Sequence, residues 1–109
     1  MAIDFEHLRA VARGFSLRFP GSDDPFQIMT RLLEECGELA QQVNHFEGSG
    51  VKREKHGEPD RAQLAQEIRD VLTCVARVID HYHVEAEVAA SIEWVYQRLK
   101  NEGFIEEGR

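Results

Sequence analysis

Apolar residues along this chain recur at every third or fourth position, and no stretch alternates as a half-buried strand would. The pattern predicts four helices. The first is short, about Asp4 to Arg13, with Phe5, Leu8 and Val11/Ala12 on one side. The second runs roughly from Pro25 to Glu47, with the stripe Met29, Leu32, Leu33, Cys36, Leu39, Ala40 and Val43. The third runs roughly from Asp60 to His81, with Leu64, Ile68, Val71, Leu72, Val75 and Ile79. The fourth runs from about Glu85 to Asn101, with Val88, Ile92, Val95 and Leu99. This is the pattern of an all-α, four-helix bundle-like protomer, one short N-terminal helix plus three longer ones.

The punctuation agrees. Gly14 and the run Pro20-Gly21-Ser22-Asp23-Asp24-Pro25 mark the first break, and Gly48 to Pro59 the second. Asp24 is a good N-cap, and Pro25 suits the first helical position, where its missing N–H costs nothing. Gly48 is expected to supply a left-handed turn after helix two. Asp60 caps helix three, with Gln63 placed as in a capping box.

With 109 residues, the chain is expected to form one domain over residues 1–109. A chain this short buries a limited share of its surface, so self-association is a natural source of further stability. Its net charge of −7 does not attract nucleic acid or an anionic membrane. Cys36 and Cys74 have neither zinc-ribbon spacing nor the density of a disulfide scaffold, which suits a reducing cytoplasm. The first residues lack the basic and apolar regions of a signal peptide, and no run is long and apolar enough to span a bilayer.

The acidic residues change the picture. Helix two carries Glu34-Glu35-Cys36-Gly37-Glu38, and helix three carries Glu67-Ile68-Arg69-Asp70. Residues three apart are neighbours on a helix, so Glu35/Glu38 and Glu67/Asp70 are close like-charged pairs, each costing about 0.2–0.5 kcal/mol. A divalent cation offsets such a cost, and oxygen-only ligands favour Mg²⁺, Mn²⁺ or Ca²⁺ over zinc. Counted from the stripe centres Cys36 and Ile68, each pair falls near about −100° and −160°. In an antiparallel hairpin, which the short loop favours, equal offsets place both pairs on one side and at a similar height. The plainer account is a solvated acidic face, since charged residues normally sit at a stripe edge. Against it, these two clusters hold most of the excess of 20 acidic over 13 basic residues.

The words Arg31-Leu-Leu-Glu-Glu-Cys-Gly-Glu-Leu-Ala40 and Leu64-Ala-Gln-Glu-Ile-Arg-Asp-Val-Leu72 set E-E-x-x-E and E-x-x-D on successive helices. From about Asp24 to Asn101 the chain resembles the MazG-like branch of the all-α NTP pyrophosphohydrolases. The resemblance implies Mg²⁺-dependent cleavage of a nucleoside triphosphate to monophosphate and pyrophosphate, with Mn²⁺ as a substitute ion. It implies Glu35, Glu38, Glu67 and Asp70 as metal ligands and Glu34 as the base, or supporting group, that orients water. It also implies a homodimer or homotetramer and a housecleaning role toward non-standard or excess nucleotides. Family members often carry a lysine on the last helix; here Glu93 and Trp94 stand near that place. The remaining candidates for substrate contact are Lys52, Arg53 and Lys55 in the loop, and Trp94 and Arg98 on helix four. Each has a bland alternative: a solvated loop, or an aromatic anchor in a core or interface. Cys36, at the stripe centre, reads as a small core residue, whereas Cys74 lies nearer the acidic site. The competing function is a non-catalytic helical interaction module that retains the fold.

Overall fold

The computed structural model describes residues 2–48, 54 and 57–106. Among these the main elements are α1 (Phe5–Arg18), α2 (Pro25–Glu47), α3 (Arg61–Tyr82) and α4 (Glu85–Asn101), with no strand. The all-α fold read from the periodicity is the fold observed. Three aspartates start the first three helices. Asp4, Asp24 and Asp60 each accept a 2.9 Å hydrogen bond from the backbone N–H two residues on, satisfying a donor with no partner inside the helix.

Two local expectations need correction. Helix α1 continues through Gly14 to Arg18, because Phe15 and Ser16 beyond that glycine make contacts with the rest of the chain. It ends at Phe19, whose φ of −122° and ψ of 77° suit a residue held before Pro20. Gly48 is extended, with φ −70° and ψ 159°, and supplies no left-handed turn. His83 does so at the end of α3, with φ 54°. There the Val84 N–H reaches the Ile79 carbonyl (3.2 Å) and the His83 N–H that of Asp80 (3.4 Å).

Helix α3 is central: α2 packs along it, and α1 packs on it too. The α2/α3 pair is antiparallel. Ile28 shares a pocket with Arg77 and His81, Glu35 shares one with Asp70 and Cys74, and His45 Nε2 donates to the Gly57 carbonyl at 2.8 Å. The seam is rotated from the apolar stripe. On α2 the more covered positions include Ile28, Leu32, Glu35, Leu39, Gln42 and Phe46, which keep the seven-residue spacing of a helix–helix seam. Met29, Leu33, Cys36 and Val43 are exposed, so Cys36 is not a core residue. On α3, Glu67, Cys74, Ala76, Arg77 and Ile79 are buried while Ile68, Leu72 and Val75 are exposed.

Helix α4 buries none of its residues. The radius of gyration is 17.3 Å, against about 13 Å for a compact chain of this length. Helix α4 accounts for part of that excess by leaving the three-helix body. Its start is held by Arg9 of α1, which bonds the Glu85 carboxylate and also reaches Asp80 at 3.4 Å. Arg13 adds a 3.2 Å bond to Asp80, and with Arg9 it lowers that carboxyl's pKa.

His83 carries a side chain in a conformation that favours glycine. His83→Gly is expected to raise stability by about 0.5–1 kcal/mol, read as a higher urea midpoint at unchanged slope.

Candidate functional site

The antiparallel pairing brings acidic side chains of α2 and α3 together. One carboxylate oxygen from each of Glu35, Glu38 and Glu67 lies within 4.8 Å of the others. Glu35 occupies a seam position and Glu67 is buried. The Oε2 atoms of both are shut away from solvent with no hydrogen-bond partner among the described residues. Asp70, one turn beyond Glu67, lines the same cleft as Glu35. Its Oδ1 accepts from Arg69 Nη2 at 3.0 Å and from Nε at 3.3 Å.

The other residues singled out in the sequence lie elsewhere. Glu34 is exposed and lines a separate groove with Phe26, Thr30 and Arg31. Trp94 and Arg98 line a groove on α4 and its end, where the Arg98 guanidinium carbon sits 5.6 Å from the Trp94 ring centre. Within the chain this groove is not part of the carboxylate cleft. Lys52, Arg53 and Lys55 lie outside the described residues.

A cleft of about 330 Å³ opens beside the carboxylates. Glu35 and Asp70 form part of its wall; Phe15, Phe19, Ser22, Arg31, Thr73, Cys74 and Arg77 complete it. The position of Cys74 near the acidic site was legible from its spacing to Asp70. The two arginines were not among the residues picked out. A signal existed: Arg77 interrupts the apolar run Val71 to Ile79, three residues after Cys74 and seven after Asp70 on one helix face. Arg31 lies one turn before Glu35 in the same way. The aromatic contributions of α1 had no signal once that helix was expected to stop at Arg13.

Burial and neighbouring charge both favour protonation here. Burial, then the charges of Glu38 and Asp70, push the Glu35 carboxyl up to about 7. Burial and the neighbouring Glu38 carboxyl raise that of Glu67. Burial and the Glu35 charge raise the Cys74 thiol. The donor set is all oxygen and anionic, with two buried oxygen atoms lacking any partner among the described residues. Those features fit a hard divalent cation, which would satisfy both the charge and the orphaned atoms.

The model of the MazG nucleotide pyrophosphohydrolase domain matches residues 24–101. A relative named "Uncharacterized protein YpjD", from Bacillus subtilis (strain 168), is 43% identical over 60 residues, 55% of this chain and 54% of the relative. The match thus spans about half the length of that curated protein. No solved structure matches the chain. No helix among the described residues is long and apolar enough to cross a membrane.

The raised Glu35 carboxyl makes metal-free stability depend on pH. The folded chain holds a proton between 4.5, the ordinary value, and about 7 that the unfolded chain has released. The contribution of Glu35 is therefore complete below 4.5 and lost as pH rises through about 7. In urea unfolding with chelator from about pH 5 to about pH 8, wild-type stability should fall more steeply than that of Glu35→Gln. Identical slopes would mean that Glu35 ionises normally.

Proposed function

The chain belongs to the MazG nucleotide pyrophosphohydrolase family, and from that membership we propose that it hydrolyses a nucleoside triphosphate to monophosphate and pyrophosphate with Mg²⁺. Its task on this reading is to remove non-standard or excess nucleotides inside a reducing compartment, which its two unpaired cysteines suit. The observation that carries the reading is the meeting of Glu35, Glu38 and Glu67 across the α2/α3 seam, two of them with orphaned buried oxygens.

In this proposal Glu35, Glu38, Glu67 and Asp70 hold the cation, Asp70 by exchanging its bond to Arg69 for the ion. A divalent cation bound there neutralises phosphate oxygens and lowers the pKa of water. Glu34, next in sequence to Glu35 and on the groove that shares Arg31 with the cleft, is the base of this proposal: it would orient the attacking water and take its proton. The carboxylates alone repel a polyphosphate, so substrate binding requires the ion. Self-association is the second part of the proposal. Leu33 is 69% exposed and Ile92 64% exposed, and Val43, Ile68, Val75, Val95 and Leu99 are exposed as well. Apolar area on this scale marks an interface, and the reading takes it to be that of a homodimer or homotetramer.

Chromatography of each common NTP and dNTP after incubation should show monophosphate and pyrophosphate released with Mg²⁺ and neither with chelator. Glu38→Gln and Asp70→Asn should each lower turnover by roughly 10²-fold or more with circular dichroism unchanged. Full activity in either would refute the ligand assignment. Glu34→Gln should lower kcat by about 10²–10⁴ while Mg²⁺ affinity holds; unchanged kcat removes its role as base. Silence across the panel, with Mn²⁺ also tried, would favour a helical interaction module.

Sedimentation equilibrium tests the second part. Wild type should sediment as a dimer or tetramer, and Leu33→Glu should shift it toward monomer. A wild-type monomer would end the self-association reading.

A further inference from the structure

The cleft beside the carboxylates also holds cations that lack a counterion. Arg77 is only 8% exposed. Its Nη2 donates to the Ser22 carbonyl (3.0 Å), the Ser22 hydroxyl (2.9 Å) and the Ser16 hydroxyl (3.4 Å). All three acceptors are neutral. Its Nε is buried with no hydrogen-bond partner among the described residues. Among the described residues no carboxylate forms an ion pair with it. A guanidinium stays charged at any ordinary pH, and a buried charge is costly unless an opposite charge meets it.

Arg31 stands on the same cleft, one turn before Glu35. It is exposed, and among the described residues it makes no hydrogen bond or ion pair. Both guanidiniums line this cleft together with Glu35, Asp70 and Cys74. The cleft thus joins Glu35, whose buried Oε2 has no partner among the described residues, to a buried guanidinium with no anion among them. A cation-bound polyphosphate supplies both at once. Among the described residues, the other cation suggested by the sequence, Arg98, sits on α4, bonded to Glu102 at 3.2 Å and stacked on Trp94.

We propose that Arg31 and Arg77 form the phosphate-binding wall of this site, gripping the polyphosphate whose cation is held at Glu35, Glu38 and Glu67. The inference rests on the hydrolase reading and names the residues of this chain that meet the anion. Arg77 is the fixed member, held by the α1–α2 turn through Ser22. Arg31 is long and unbonded, and it closes on the phosphates when they arrive. Arginine suits the role because its planar fork matches phosphate oxygens.

Equilibrium dialysis with radiolabelled pyrophosphate at saturating Mg²⁺ tests this without turnover. Wild type should bind. Arg31→Gln should weaken binding by roughly tenfold or more, as loss of a charge-assisted contact does. Arg61→Gln, a change at the exposed start of α3 away from the cleft, should leave it intact. Arg77→Gln should weaken binding at least as much; should that variant fail to fold, the Arg31 comparison decides. Unchanged affinity in Arg31→Gln, or no binding by wild type, overturns the proposal. The two readings fail separately. Hydrolysis of a nucleotide with pyrophosphate affinity indifferent to Arg31 removes the wall and leaves the hydrolase. Arginine-dependent pyrophosphate binding without hydrolysis of any nucleotide does the reverse.

Discussion

Glu35 and Glu67 sit where two packed helices would ordinarily place leucine, and the rest of the structure is arranged around that fact. Like charges in a helix–helix seam repel, and burial strips them of water. The folded chain meets the cost by holding Glu35 protonated to about pH 7 and by raising the Glu67 carboxyl too. That is a costly way to close a seam. It is an economical way to build a cation site, since the ion's arrival relieves repulsion and orphaned oxygens together. Function on this reading is stored as a local defect in packing.

The seam holds because its ends are well made. Ile28 is almost fully buried at one end, and at the other the bond from His45 to the Gly57 carbonyl ties the end of α2 to the segment that leads into α3. The aspartate caps fix where each helix begins, and so fix the height at which Glu35 meets Glu67. A shift of one residue along either helix would turn a carboxylate about 100° out of the seam. Short-range capping chemistry thus sets the register on which the cluster depends.

Much of this was legible in the sequence, because it lives in spacing and caps. The bounds of α2, α3 and α4, the antiparallel hairpin and the meeting of Glu35, Glu38 and Glu67 all follow from three- and four-residue periods and from Asp24 and Asp60. Asp70 reached the cleft but is bonded to Arg69, a neighbour that angular counting ignores. The rotation of the seam was not legible. The apolar stripe of α2 is centred on Cys36, and a stripe centre predicts the core only when one neighbour covers the whole stripe. Here α3 covers one flank, and Cys36 stays in the open. Arg77 escaped notice for a related reason: a cation in an apolar run looks like an interruption until the turn at Ser22 is seen to fold over it.

The same rotation explains why α2 has two faces with different duties. A chain that folded to bury its most apolar surface would turn Met29, Leu33 and Val43 inward and leave Glu35 in water. The observed chain instead turns toward α3 the flank on which Glu35 stands among Ile28, Leu32, Leu39 and Phe46, and leaves Met29, Leu33 and Val43 exposed. Burying the acids is unfavourable on its own, and so is exposing the stripe. Both become favourable together if a cation meets the first and a second copy of the chain covers the second. On the proposed reading the two requirements are coupled through one rigid helix. Covering the apolar flank of α2 fixes the helix rotation that keeps Glu35 in the seam, and ion binding at Glu35 holds the same rotation from the other side.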